Sequence, residues 1–257
     1  MELKDRVSIV TGGTRGIGLA IARALIREGS AVVIAARDAG QGRQAEQRLG
    51  TGGTRVRFIQ ADMGRIESVR HLISETVRQF GRLDILVNNA AIWYRERFLE
   101  TSEEHWDQVL AVNLKGPFFA SQEAARAMIH QGGGRIIHIA SQAGLFYTEG
   151  QGLHYHASKA ALIHLTRVMA FELGPYNITV NAIAPGGTRT PELREFMDRL
   201  LANEQFVRQI PLRRFAEPED VAEAVVYFVS DRARNITGQV LPINCGAMAY
   251  LGVQTES

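Results

Sequence analysis

Val7-Ser8-Ile9-Val10-Thr11-Gly12-Gly13-Thr14-Arg15-Gly16-Ile17-Gly18 is the stretch from which the rest of this sequence is read. A run rich in β-branched residues leads into a glycine-rich turn, and the turn into an apolar-periodic segment from Ile17 to Ile26. The order is strand, phosphate loop, helix. Glycine lets the backbone turn sharply and come close to a diphosphate. The helix start beyond it offers free N–H groups and the positive end of a dipole to an anion. Gly12, Thr14, Arg15, Gly16, Ile17 and Gly18 are therefore candidate nucleotide-binding residues. Their spacing is T-G-x-x-x-G-x-G, not the common G-x-G-x-x-G fingerprint. A glycine-rich turn without a ligand is the alternative reading of this stretch alone.

Composition narrows the setting. With 257 residues, 46% of them apolar, the chain can fill a sizeable core as one large α/β unit or two small ones. A formal net charge of +2 gives no electrostatic footprint for nucleic acid or a membrane surface. Cys245, the single cysteine, has no disulfide partner within the chain, so a reducing, cytoplasmic compartment is expected. No basic and apolar leader precedes the first strand, and no apolar run approaches the roughly 18 residues that span a bilayer. Lysine is confined to Lys4, Lys115 and Lys159, so a well-placed lysine is informative.

Apolar runs and helix-periodic segments alternate along the chain. The strand candidates are Val7–Val10, Ala31–Ala35, Arg55–Gln60, Ile85–Asn88, Arg135–Ala140, Thr179–Ala184 and Gln239–Ile243. They are continuous rather than alternating, as strands covered on both faces are. Helical patterns fall at Ile17–Glu28, Gly42–Leu49, Ile66–Phe80, Glu103–Ile129, Leu153–Leu173 and Asp220–Ser230, with Gly29, Gly81 and Gly174 placed as C-caps. The rhythm predicts a Rossmann-like α/β fold: one doubly wound parallel sheet of about seven strands with helices on both faces, in a single domain over 1–257.

Ligands of such sheets lie beyond the carboxyl ends of the strands. After the second strand, Arg37 follows Ala36 where an acid would bind the ribose 2′-OH, and Arg15 lies in the phosphate loop close by. Two guanidiniums suit a 2′-phosphate; the alternative is a solvated Arg37 with Asp38 on the ribose. Asp62 follows the third strand, where it would also serve as a helix N-cap. Asn88-Asn89-Ala90-Ala91 follows the fourth, and Asn113 opens Leu114–Ile129, as a functional or a helix-bridging residue. Ser141 follows the fifth strand. Tyr155 and Lys159 come next, an i, i+4 pair on one helix face. An ammonium near a phenol favours the phenolate, which would make Tyr155 an acid/base at neutral pH. The turn Pro185-Gly186-Gly187-Thr188-Arg189-Thr190 follows the sixth strand.

Taken in this order, the motifs resemble the compact, single-domain branch of the short-chain dehydrogenase/reductase family, from about Val7 to Gly246. The resemblance implies an NADP(H)-dependent oxidoreductase, NAD(H) being the lesser choice, that interconverts a ketone and a secondary alcohol. It implies that Tyr155 exchanges a proton with the substrate oxygen, Ser141 holds that oxygen, Lys159 binds the nicotinamide ribose and lowers the Tyr155 pKa, and Asn113 holds a relay water through its backbone. Asp62 would meet the adenine, Asn89 and Ala90 would pack near the cofactor, and Pro185, Gly186, Thr188 and Thr190 would contact the nicotinamide and phosphates, with Arg37 on the 2′-phosphate. Ala91 stands where the family has Gly, Thr188 where Val or Ile is common, and Asn244-Cys245 where it often has Asp-Gly.

The substrate is less legible. The helix-patterned run Pro191 to Pro211, apolar inside at Leu193, Phe196, Met197, Leu200 and Leu201, reads as a substrate lid within 188–215, or as a docked surface helix. Trp93, Tyr94, Gln142, Phe146 and His154 are candidate pocket walls. His154 and His156 flank Tyr155 and point apart on a helix, which speaks against a metal site. A 3-oxoacyl-carrier-protein reductase, a sugar or polyol dehydrogenase and a non-catalytic nucleotide-binding scaffold or sensor are the competing functions. Glu103–Ile129 and Leu153–Leu173 are apolar over more than one face, and the resemblance implies a homodimer or homotetramer through them.

Overall fold

The computed structural model describes residues 1–50 and 55–247. Seven strands form one parallel sheet: β1 (Val7–Thr11), β2 (Ala31–Ala36), β3 (Val56–Gln60), β4 (Ile85–Asn88), β5 (Gly134–Ile139), β6 (Ile178–Pro185) and β7 (Val240–Ile243). Their spatial order is β3-β2-β1-β4-β5-β6-β7. The order reverses between β1 and β4, which pair in register from Ser8 opposite Ile85. The crevice of a doubly wound sheet opens at such a reversal. The central strands are buried on both faces, which is why their sequences are unbroken Val, Ile and Ala runs rather than alternating ones.

The helices are α1 (Gly16–Arg27), α2 (Ala39–Leu49), α3 (Ile66–Phe80), α4 (Glu103–Leu110), α5 (Gly116–His130), α6 (Leu153–Leu173), α7 (Arg194–Leu201), α8 (Glu204–Val207) and α9 (Pro218–Val229). Helices α1, α2 and α9 cover one face around Ile21, Leu25, Val225 and Phe228. Helices α3, α5 and α6 cover the other around Leu72, Ala124, Met128 and Ala170. Asp84, buried just before β4, accepts from Val7 N at 2.8 Å and from the Arg82 guanidinium at 2.6 and 2.8 Å, and so ties the start of β1 to β4.

Several local expectations are corrected. The segment Glu103–Ile129 is not one helix: a π-helical turn at Ala111–Lys115 separates α4 from α5. Pro117 has no N–H for the carbonyl of Asn113, four residues back, so the ladder must slip there. Asn113 therefore sits inside the irregular turn rather than at a helix start. Gly174 is the C-cap of α6 as expected, but with helical φ −54°; Pro175 continues the chain into a 3₁₀ turn, and Asn177 (φ 58°) makes the reversal. In the run after β6, α7 and α8 bury only Met197, while Phe196 is half exposed. Cys245 is partly buried, and it holds φ 56° where a glycine would be unstrained.

Gly116 follows the π-helical turn against the end of β3. A Cβ there would lie 2.3 Å from the Met63 carbonyl oxygen, with backbone on both sides of the contact. Gly116→Ala is expected to lower the unfolding free energy by about 1–3 kcal/mol, read as a shifted denaturant midpoint at unchanged slope; an unchanged midpoint contradicts this packing.

Candidate active site

The loop after β1 is held open by hydrogen bonds from β4. Asn89 Nδ2 donates to the carbonyls of Thr11 (2.9 Å) and Gly12 (3.2 Å), and Thr11 Oγ1 accepts from the backbone N–H groups of Asn89 (2.9 Å) and Ala90 (3.0 Å). Gly12 and Gly16 take positive φ, and a Cβ on Gly18 would lie 2.2 Å from the Gly12 carbonyl oxygen. Helix α1 begins with no side-chain cap and no acid in its first turn. Its first N–H groups are uncommitted, and a diphosphate fits this start. Thr11 escaped the sequence reading because it ends a strand, and its clamp on Asn89 joins residues 78 positions apart.

At the end of β2 the acid is already engaged. Asp38 N-caps α2, its carboxylate accepting from Gln41 N at 2.8 Å. Arg37 is exposed and makes no side-chain ion pair or hydrogen bond among the described residues. Arg15 is exposed as well, 3.9 Å from Glu192. Asp62 accepts from Gly64 N at 2.9 Å in a local turn, and Arg65 holds the N-cap position of α3.

Ser141, Tyr155 and Lys159 come together beyond β5. Ser141 Oγ accepts from Ala143 N at 3.1 Å and lies beside the Tyr155 hydroxyl. Lys159 is almost fully buried, and its ammonium donates to the Ile139 carbonyl at 2.8 Å, 5.6 Å from the centre of the Tyr155 ring. Burial pushes the Tyr155 phenol up, and the neighbouring Ser141 opposes this only in part. The expected lowering by Lys159 is not found: its ammonium is turned to a backbone carbonyl, and burial dominates the phenol. Burial lowers Lys159 itself to about 7. Beneath it, burial and the Lys159 charge hold His138 near 3; its Nδ1 lies 3.2 Å from Asn88 Nδ2. His138 escaped the sequence reading because nothing in an apolar run marks which residue faces the lysine.

Asn113 spans the site's rear wall. Its side chain pairs with Ile92, accepting from N at 2.9 Å and donating to O at 2.8 Å, and it reaches Ser158 Oγ at 3.3 Å. Its own carbonyl lacks the Pro117 donor. The turn after β6 places Gly186 against Asn244 and Gln142, with Gly186 N donating to the Ile243 carbonyl at 2.8 Å. Thr188 is buried, its hydroxyl donating to the Gly186 carbonyl at 3.1 Å, and Thr190 abuts Gly16. Gln142 Oε1 and Asn244 Nδ2 are buried here without hydrogen-bond partners among the described residues. Of the expected walls, Trp93 is half exposed, while Tyr94 and Phe146 are partly buried. His154 is corrected: it is wholly buried and turned toward Glu96, a partner that no local pattern announces.

Comparisons agree with this geometry. A family model described as enoyl-(acyl carrier protein) reductase matches residues 12–248. The chain is 38% identical over 247 residues to 3-oxoacyl-[acyl-carrier-protein] reductase FabG of Aquifex aeolicus (strain VF5), covering 96% of this chain and 98% of that one. The chain belongs to the short-chain dehydrogenase/reductase family. It is also 38% identical over 257 residues to L-rhamnose 1-dehydrogenase (NAD(P)(+)) of Azotobacter vinelandii (strain DJ / ATCC BAA-1303), covering 98% of this chain and all of that one. A solved short-chain dehydrogenase/reductase from Serratia marcescens BCRC 10948 superposes with a TM-score of 0.88 at 38% identity, over 96% of this chain and 99% of that chain. The protein is an oxidoreductase that binds a nicotinamide nucleotide. Among the described residues, no helix is long and apolar enough to cross a membrane.

Burying Lys159 has a cost with a defined pH window. Unfolded, the lysine keeps its proton up to its ordinary 10.5; folded, it yields it at about 7. Between those values the unfolded chain binds more protons, so stability through this group rises with pH across the window. The penalty is full below about 7 and gone above 10.5. Lys159→Met is therefore expected to raise the thermal midpoint of the cofactor-free protein at pH 7, with a gain that shrinks as pH approaches 10. A midpoint lowered at pH 7 contradicts this account.

Proposed function

We propose that this chain is an NADP(H)-dependent ketone reductase and secondary-alcohol dehydrogenase whose single domain carries both the nucleotide cradle and a Ser-Tyr-Lys site. The observation that carries the reading is a buried Tyr155 hydroxyl beside Ser141, with a buried Lys159 next to it and an uncapped helix start across the crevice. The phosphate cradle is Gly12, Thr14, Arg15, Gly16, Ile17 and Gly18. Asp62, Asn89 and Ala90 border the nucleoside, and Pro185, Gly186, Thr188 and Thr190 border the nicotinamide. The free Arg37, with Arg15 nearby and Asp38 spent on a helix cap, supports a 2′-phosphate over a bare ribose.

When bound, the nicotinamide supplies or accepts the hydride. Ser141 fixes the substrate oxygen beside Tyr155. In reduction Tyr155 gives that oxygen its proton; in oxidation it takes the proton back. Lys159, poised near 7 in the free protein, turns from the Ile139 carbonyl to stabilise the phenolate left behind. The Asn113 carbonyl, freed at the π-helical turn, holds the water that returns a proton to Tyr155. The segment 188–215 closes over the substrate as a lid; Arg189 bonds Asp198 within it at 2.6 Å and ties it to the body through Glu217 at 2.7 Å.

A sugar or polyol substrate is the second reading, favoured by the unpartnered Gln142 Oε1 and Asn244 Nδ2, which would take hydroxyl groups. An acyl-carrier thioester is the third, raised by the reductase relatives. The single cysteine accords with a cytoplasmic setting.

NADPH consumption against a panel of ketones, keto-sugars and 3-oxoacyl thioesters tests these readings. Turnover is expected with NADPH in preference to NADH. Tyr155→Phe is expected to reduce it by about 10²–10⁴-fold, and Arg37→Ala to raise KM for NADPH about tenfold with little change for NADH. Turnover unaffected by Tyr155→Phe overturns the mechanism, and an NADH preference overturns the cofactor reading.

Assembly follows from the apolar groove along α4, α5 and α6, lined by Leu110, Leu114, Phe118 and Leu165, with Phe171 almost fully exposed on α6. We infer a homodimer or homotetramer closed through this face. Light scattering of the purified protein is expected to give twice or four times the chain mass, and Phe118→Glu to lower it; a monomer at micromolar concentration contradicts the inference.

A further inference from the structure

Glu96, in the segment between β4 and α4, meets two imidazoles. His105 of α4 places Nδ1 against Glu96 Oε1, and Tyr94 stacks on the same ring, with centroids 3.8 Å apart and planes 12° from parallel. His154, in the first turn of α6, places Nε2 3.3 Å from Glu96 Oε2, within ion-pair range, and neither of these two buried atoms has a hydrogen-bond partner among the described residues, so the contact with each other is what answers both. His154 Nδ1 accepts from the Tyr155 backbone N–H at 2.8 Å, an N–H shared with the Gly152 carbonyl at 3.0 Å. A backbone N–H only donates. Nδ1 is therefore unprotonated, and the neutral ring carries its proton on Nε2, facing the carboxylate.

The surrounding backbone is shaped for this contact. A Cβ on Gly152 would lie 2.4 Å from His154 Cε1, so only glycine lets the ring fold back over the helix start. Gly152 N donates to the Tyr94 carbonyl at 3.0 Å. At its other end the same segment is held by the paired hydrogen bonds between Asn113 and Ile92. Residues 92–96 are thus fastened both to the turn that carries Asn113 and to the turn that carries Tyr155, with Trp93 between the two fastenings.

We propose that Glu96 and His154 are positioning residues: their contact holds the first turn of α6, and with it the Tyr155 hydroxyl, in register with Ser141, and fixes the 92–96 segment against that turn. The proposal rests on the acid/base role of Tyr155 given above. Glu96 is kept ionised for this contact, the His105 hydrogen bond lowering its pKa first and His154 adding to it. A first helical turn has no intrahelical partners for its own N–H groups, so an outside clamp there governs where its side chains sit.

The test uses the full chain and the ketone that the wild type turns over fastest. Glu96 is near the surface, and Glu96→Ala is expected to leave NADPH stoichiometry and dissociation constant within about twofold of wild type while kcat falls about tenfold and KM for the ketone rises. Glu96→Gln, which keeps an acceptor for His154, is expected to restore most of kcat. Full kcat in Glu96→Ala overturns the proposal, as does a loss of kcat matched by an equal loss of NADPH-binding sites, which marks plain misfolding. Equal kcat losses in the Gln and Ala variants overturn the Glu96–His154 contact. The Tyr155→Phe control separates the premise: a wild type no faster than Tyr155→Phe refutes the role of Tyr155, whereas a Tyr155-dependent wild type with an unaffected Glu96→Ala refutes only the positioning pair.

Discussion

Parallel strands on the two sides of β1 continue in opposite directions across the sheet, so the loops leaving β1 and β4 must part. A gap at the carboxyl end of a sheet exposes backbone polar groups that need partners. Here Thr11 and Asn89 supply them reciprocally, each bonding the other's loop. That pairing keeps the glycine loop from collapsing into the gap and leaves the first N–H groups of α1 facing open space. The nucleotide cradle, the site beside it and the long reach of α6 beneath both depend on this one clamped separation.

The floor of the crevice shows what such a site costs. Lys159 has one protein acceptor, the Ile139 carbonyl, and is otherwise wrapped in low-dielectric surroundings. The neighbouring His138 is held neutral by the same burial, and Tyr155 is pushed away from ionisation. A core of apolar residues would avoid these penalties. Desolvation here leaves a lysine near neutrality and a phenol whose charge awaits a partner, so groups that are unfavourable at rest respond strongly when a ligand changes their surroundings. The strain at Cys245 adds a smaller penalty of the same kind, in the turn that faces Gly186 through Asn244.

Rigidity is distributed unevenly around the crevice. The 92–96 segment is fastened at both ends and packed with stacked rings, whereas α7 and α8 bury little beyond Met197 and hang from the Arg189 ion pairs. One wall is therefore firm and the other lightly held.

Much of this was legible in the chain alone. The seven apolar runs became the seven strands, because burial on both faces demands unbroken hydrophobicity whatever the neighbours are. The glycine loop was legible from stereochemistry, and Ser141, Tyr155 and Lys159 from their order after successive strands. Only the tertiary structure decided the partner of His154 and the direction in which the Tyr155 pKa moves. The reason is range. Periodicity, glycine and proline act over a few residues and leave their mark in sequence. Desolvation and the meeting of Glu96 with His154 depend on atoms brought together from distant segments, and no local pattern encodes them.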